Sequence, residues 1–403
     1  MTAERPDTQR LHNGPKAILP FEPAEYEERL AGLRDILELH SLDAIVLTSM
    51  HNVAYYSGFL YCAFGRPYAL VVTATDAVTI SAGLDAGQPW RRSHGESLSY
   101  TDWQRDNFWR AVASVAGAGK AVGVEADHLT MLQADKLNAF LKPVRGMDVA
   151  PATMQQRMVK SEAEIALIRH GAQVADIGGH ATRAAAKSGA REIDVAAAGR
   201  DAMEAEIARR FPDAEYRDSR VWFQSGINTD GAHNPVTARK LKRGDILNMT
   251  CVPMIAGYGA ALGRTMFLAE ADAASRKIWE AVVAARTYGI TLLQPGAGCA
   301  GIAAKLNDFL RARDLLPYRS GGYFHSLDLV SQHTGHQAGL DLREDIDTVL
   351  EPGMVISMAP MLMIPEGQSG AGGYREQDVF VVSQDGVDAI TACPAGPEFN
   401  LVG

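Results

Sequence analysis

Beyond residue 160 the chain passes twice through one order of patterns, a pair of long helical stretches and then a block rich in strands. The first pass has helical periodicity over 161–187 and 191–211, followed by SRVWFQSG and the paired-strand pattern GDILNMTCVPMIAGYGAALGRTMFLAE. The second has helical stretches from about Ala273 to Leu293 and from Ile302 to Arg313, followed by GMVISMAPMLMI and YREQDVFVVSQDG. A helix-pair-then-strand unit met twice predicts an internally duplicated α+β domain. Ser161 with Glu164 has the pattern of a capping box that would open its first helix.

The residues before it read as a separate α/β domain. EPAEYEERLAGLRDILELH is helical, LDAIVLTS is a strand, and YALVVTATDAVTISA reads as two strands about a Thr-Asp turn. NFWRAVASVAG, AVGVEAD and TMLQADKLNAFLK add a helix, a strand and a helix. The boundary is expected near Val159, dividing the chain into 1–159 and 160–403, and 403 residues are enough for two cores.

A net charge of −9 argues against nucleic acid or an anionic membrane as partner, and no apolar run approaches membrane-spanning length. The first twenty residues lack the apolar stretch of a signal peptide. Cys62, Cys251, Cys299 and Cys393 are scattered, with no CxxC pair. Unpaired thiols without a leader point to the cytoplasm.

Four stretches carry candidate chemistry. In VWFQSGINTDGAHNPVT, His233 lies among turn-forming residues, in the kind of positioned loop where functional groups concentrate; a structural histidine is the plain alternative. In YFHSLDLVSQHTGHQAG, His333 and His336 have an i, i+3 spacing that could face a metal from one helix, but Gly335 interrupts it and no HExxH pattern accompanies them. In GAGGYREQDV, Glu376 follows a glycine-rich turn and opens a strand, where a solvated strand-end carboxylate is the alternative. In FGRPYAL, Arg66 could clamp a carboxylate through its planar fork, or be an ordinary surface arginine.

These stretches, with QPWRR, YTDWQRDN, PMIAGY, LREDIDTVLEPGM and PEGQSGAGGYRE, resemble the creatinases. Creatinases are metal-independent members of the pita-bread family that includes the methionine and Xaa-Pro aminopeptidases. The likeness runs from about residue 20 to the C-terminus. It implies an α/β N-terminal domain, an α+β pita-bread catalytic domain, and a homodimer in which the partner's N-terminal domain closes the active site. Carried over by motif, Phe64 and Arg66 would come from the neighbour, with Arg66 on a substrate carboxylate. His233 would be the general acid/base, and Tyr258 and His325 would line the substrate site.

The resemblance also allows a test for metal. The family's metallopeptidases use two Asp, one His and two Glu, a majority of oxygen anions suited to a dinuclear site. The corresponding positions read Thr250, Ala261 or Leu262, His325, Ala359 and Glu376. Only the histidine and the last glutamate are kept, so no metal and no other cofactor is expected. Water must then be activated by a side chain that titrates near neutrality, and an unperturbed histidine does so at about 6.5.

Departures from the creatinase pattern bear on the substrate. The glutamates expected to grip a guanidinium read Gly263 in ALGRT and Ala359 in SMAPM. Gly259 replaces an aromatic residue, His336 replaces an arginine on the carboxylate, and Asp328 stands where glycine is expected. Gly259, Gly263 and Ala359 together suggest an enlarged pocket, since proteins seldom keep large voids. The first expectation is therefore a creatinase-like hydrolase of a non-peptide C–N bond. Its substrate would be a small amino-acid-like carboxylate, bulkier or less guanidinium-like than creatine, with Asp328, His325 and Glu376 shaping the site. The alternatives are a true creatine amidinohydrolase, yielding sarcosine and urea, and the same fold with changed chemistry, either a lyase or decarboxylase or a non-catalytic binding protein.

Overall fold

The computed structural model describes residues 5–60, 65–85, 87–215, 217–330 and 340–403. They form two compact units, Met1–Arg157 and Met158–Gly403.

In the first unit, a mixed sheet runs in the order Thr8–Gln9, Glu96–Tyr100, Ala77–Ala82, Ala69–Thr73, Ala44–Leu47, Ala121–Val124, Arg145–Asp148. Ala69–Thr73 and Ala77–Ala82 are the hairpin read around Thr-Asp. The helix Asn107–Ala116 lays Phe108, Trp109, Ala111 and Val112 on this sheet, matching the apolar residues of Ala44–Leu47 and Ala69–Thr73. Three helices, Met50–Ser57, Gln88–Arg92 and Ala150–Met158, went unread. The first two are short and the third is polar, so none has the length or the apolar stripe that makes a helix legible.

The second unit holds the duplication. The strands Arg220–Ser225, Ile246–Val252 and Leu262–Leu268 form one sheet with Leu401–Val402 at its edge. Phe324–Ser326, Val355–Met358, Asp378–Val382 and Val387–Ala389 form the other. A two-way bond between Gly263 and Gln377 joins them, with N–H to O distances of 3.0 and 2.9 Å. Helices Glu162–Ala185 and Glu192–Arg210 serve the first sheet, and Ala273–Leu292 and Cys299–Arg311 belong to the second half. The capping box forms: Ser161 Oγ accepts from Glu164 N at 3.2 Å, and Glu164 Oε2 accepts from Ser161 N at 3.0 Å. Gly199 lets the first two helices meet closely, because a Cβ there would stand 2.1 Å from Thr182 Oγ1. Their inner faces supply Val174, Val195, Met203 and Ile207 to a core shared with Phe223, Met249 and Leu262 of the sheet.

Candidate active site

Side chains directly opposite on antiparallel strands share a face, and along one strand the faces alternate. Trp222 is opposite Thr250, Thr250 opposite Gly263, and Gly263 opposite Gln377. Gln377 Nε2 donates to Ser357 Oγ at 2.8 Å, and Ser357 is opposite His325. One row, Trp222–Thr250–Gly263–Gln377–Ser357–His325, thus crosses both sheets. A second row lies two residues along on the same face: Gln224 opposite Asn248, Asn248 opposite Thr265, and Thr265 bonded to the backbone of Arg375.

His233 stands over the end of these rows. Its exposed ring meets Trp222 edge-on, with centroids 5.8 Å apart. Gln224 Nε2 donates to both carbonyls that flank it, Ala232 O at 3.1 Å and Asn234 O at 3.0 Å. Asn234 Nδ2 donates to Asp230 Oδ1 and to Asn228 O. The buried Glu192 carboxylate accepts from Ser225 N and Oγ, Asn228 Nδ2, and Thr237 N and Oγ1, tying both ends of the loop to one point. From the far side, Gly373 lets the strand Gly372–Arg375 press on the loop's 3-10 turn, since a Cβ there would fall 1.9 Å from Thr229 O. An imidazole braced this way can exchange a proton with water while its backbone stays fixed. His325 closes the other end of the first row, half-buried. Its Nδ1 is 2.8 Å from Ser326 O, and a carbonyl only accepts, so Nδ1 carries the proton and Nε2 is the basic nitrogen of the neutral ring.

Glu376 is not on this face. It falls between two strands, wholly buried, with Oε1 accepting from Trp279 Nε1 at 2.7 Å. Its neighbours Arg375 and Gln377 alternate to the other side, so Gln377 is the residue that joins the row. Beneath the face, Arg264 Nε is 3.7 Å from Glu376 Oε2, but Arg264 is already committed. It donates to the carbonyls of Cys393, Pro394, Gly263 and Gln377 and to Asp378 Oδ1. Burial therefore prevails, and the Glu376 carboxyl is pushed up to about 7 despite Arg264 and Trp279.

The pocket expected at Gly263 is also corrected. A Cβ there would lie 2.8 Å from Gln377 Cβ and 3.0 Å from its Oε1, so Gln377 already fills the space. Ala359 is half-buried two residues beyond Ser357, and its N–H donates to Tyr323 O. Gly259 is half-buried, paired with Met254 in a short hairpin. Tyr258 turns inward, its hydroxyl donating to Glu164 Oε1 at 2.8 Å, where it supports the start of a helix. Asp328 is buried, three residues beyond His325. Arg66, in the first unit, is exposed and pairs with Asp102 at 3.1 Å. Phe64, His333 and His336 lie outside the described residues.

Alternation was the signal that could have separated Glu376 from Gln377 and drawn attention to Arg375 and Gln224. The donors for a metal do not fit: the first row offers hydroxyls, an amide and one imidazole. Among the described residues no group of three or more His, Cys, Asp or Glu is placed to hold an ion. No helix among them is long and apolar enough to cross a membrane.

Comparison with known proteins agrees with this architecture. The Creatinase/Prolidase N-terminal domain matches residues 29–159, and the Metallopeptidase family M24 matches 166–384. Creatinase from a Bacillus species is 50% identical over 400 residues, covering 98% of this chain and 97% of that protein. The Xaa-Pro dipeptidase of Pyrococcus horikoshii is 24% identical over 372 residues, covering 90% and 97%. The crystal structure of the prolidase from Pyrococcus horikoshii OT3 superposes with a TM-score of 0.79 at 20% identity, covering 91% of this chain and 99% of that one. Dipeptidase PepE from Mycobacterium ulcerans gives 0.79 at 22% identity, covering 95% and 98%. With two sheets joined into one face beneath a braced histidine, and with these matches along nearly its whole length, the chain belongs to the M24 family and is a creatinase-like member of it.

Proposed function

We propose that this chain is a creatine amidinohydrolase, converting creatine and water to sarcosine and urea. The observation that carries the reading is His233, fixed by Gln224 at the edge of a face that ends in His325, in a chain half identical to a Creatinase. His233 takes a proton from water as the oxygen attacks the guanidinium carbon. The bond from that carbon to the sarcosine nitrogen then breaks, and His233 returns the proton to that nitrogen. No metal takes part. Asp328, Gln377 and His325 are the groups left to hold the guanidinium, since 263 and 359 carry no carboxylate. Phe64 and Arg66 of the partner subunit close the site of a cytoplasmic homodimer, Arg66 meeting the carboxylate near His336.

Creatine replaces the larger substrate expected at first. The argument for a larger one rested on empty space, and Gln377 occupies that space at Gly263. A second reading, the same hydrolysis on a less guanidinium-like carboxylate, is favoured by the neutral first row. Incubation with creatine, following urea and sarcosine, tests the first reading against the second. Turnover that His233→Ala lowers by roughly a hundredfold or more supports the proposal. Absence of turnover in folded protein overturns it, and turnover of a ureido or amide analogue would establish the second reading.

A further inference from the structure

The reading above gives Arg375 no task. The residue is 5% exposed, and its Nε and Nη2 are closed to solvent with no hydrogen-bond partner among the described residues. Its backbone, by contrast, is pinned: N donates to Thr265 Oγ1 at 2.7 Å and O accepts from the same hydroxyl at 3.0 Å. The acids nearest in sequence, Glu376 and Asp378, turn to the opposite side, where Arg264, Arg286 and Trp279 use them. Alternation puts Arg375 with Gln377 and Gly373 on the side that carries the His233 loop, across from the half-buried Met361. Burial lowers its proton affinity to about 10 with no anion to offset the effect, so it stays charged at neutral pH.

A buried guanidinium with unmet donors destabilises the ligand-free protein, because it is almost wholly desolvated and no carboxylate among the described residues compensates it. Such a group fits an anion that arrives from outside, and its planar fork matches a carboxylate. We propose that Arg375 binds the substrate's carboxylate from within the catalytic unit, in the row next to Gln377 and beside the His233 loop. The identity of that carboxylate rests on the creatine reading; the anion site itself does not.

Thermal unfolding of the full-length protein and of Arg375→Met, alone and with creatine, sarcosine or creatinine, tests it. Creatinine is the lactam in which the carboxylate is lost. Wild type is expected to gain stability from creatine and sarcosine and not from creatinine. Arg375→Met should melt no lower than wild type without ligand and respond to none of the three. Its KM for creatine should rise roughly ten- to hundredfold with kcat little changed, and Arg375→Lys should recover part of the loss. A variant that melts far below wild type yet keeps the full response to sarcosine would make Arg375 structural and overturn the proposal. So would a wild-type protein that no carboxylate stabilises. A response to sarcosine that depends on Arg375, in protein that does not hydrolyse creatine, would refute the creatine reading and support the anion site.

Discussion

Glu376→Gln separates a buried carboxyl that is neutral from one that is ionised. Glu376 is wholly buried, holds one hydrogen bond from Trp279, and faces an Arg264 whose donors are taken by four carbonyls and Asp378. Its folded-state value is about 7 against an ordinary 4.5, so between these two pH values the native state binds the additional proton. Stability contributed by this group is therefore intact below 4.5, falls as pH rises through that interval, and stays low above it. The full interval corresponds to ~3 kcal/mol, and coupling to Arg264 and Asp378 makes about 1–3 kcal/mol the range to expect. Glutamine keeps an acceptor for Trp279 and has no charge to desolvate. Thermal or urea unfolding at pH 5 should find Glu376→Gln close to wild type. At pH 8.5 the variant should be more stable by that amount, a gain of several degrees at ~2–4 °C per kcal/mol. Equal destabilisation at both pH values would refute the reasoning, because it would mean that Glu376 is ionised throughout as a partner of Arg264.

The His233 loop gives further expectations. Gln224→Ala removes the bonds to Ala232 O and Asn234 O, and should lower kcat more than it raises KM, at a stability cost of about 1–2 kcal/mol. Steady-state kinetics with parallel unfolding curves checks this, and unchanged kcat would show that the loop holds its shape without that amide. Gly373→Ala puts a methyl against Thr229 O and should destabilise by roughly 1–3 kcal/mol while also lowering kcat, read by the same two measurements. Gln377→Ala opens the space beside Gly263 without touching the loop. It should change the preference between creatine and larger N-substituted analogues, compared as kcat/KM, more than it changes the melting temperature.

The fold was legible because it rests on long signals. The periodicity of the helices near 161–187 and 191–211 and the capping box at Ser161 survive any one-residue error, and the duplicated order needs only element types. The unread helices were those with weak patterns. At the candidate site, His233 was singled out by its turn-rich neighbourhood, and the role proposed for it came from the resemblance. Its support was not readable in sequence, because Gln224, Glu192 and Gly373 reach the loop from three separate elements. No local pattern announces a contact between residues 192 and 237.

Glu376 shows why a matched motif is not a matched side chain. In GYREQDV, four polar residues follow one another, and chemistry alone favours the carboxylate as the functional one. Strand geometry decides differently, since a shift of one position exchanges the two faces. The bond pair between Gly263 and Gln377 fixes the register, and with it sends Glu376 and Asp378 down to Arg264 and turns Arg375 and Gln377 to the opposite side. The same register explains why Gly263 leaves no void. A glycine on one strand opposite a glutamine on its partner gives the longer side chain room to cross over and reach Ser357 at 2.8 Å. Loss of a carboxylate at 263 is thus coupled to the residue at 377, and neither position describes the pocket without the other. In the reading proposed above, what the face keeps for an anionic substrate is the buried guanidinium of Arg375, and what it keeps for proton transfer is His233.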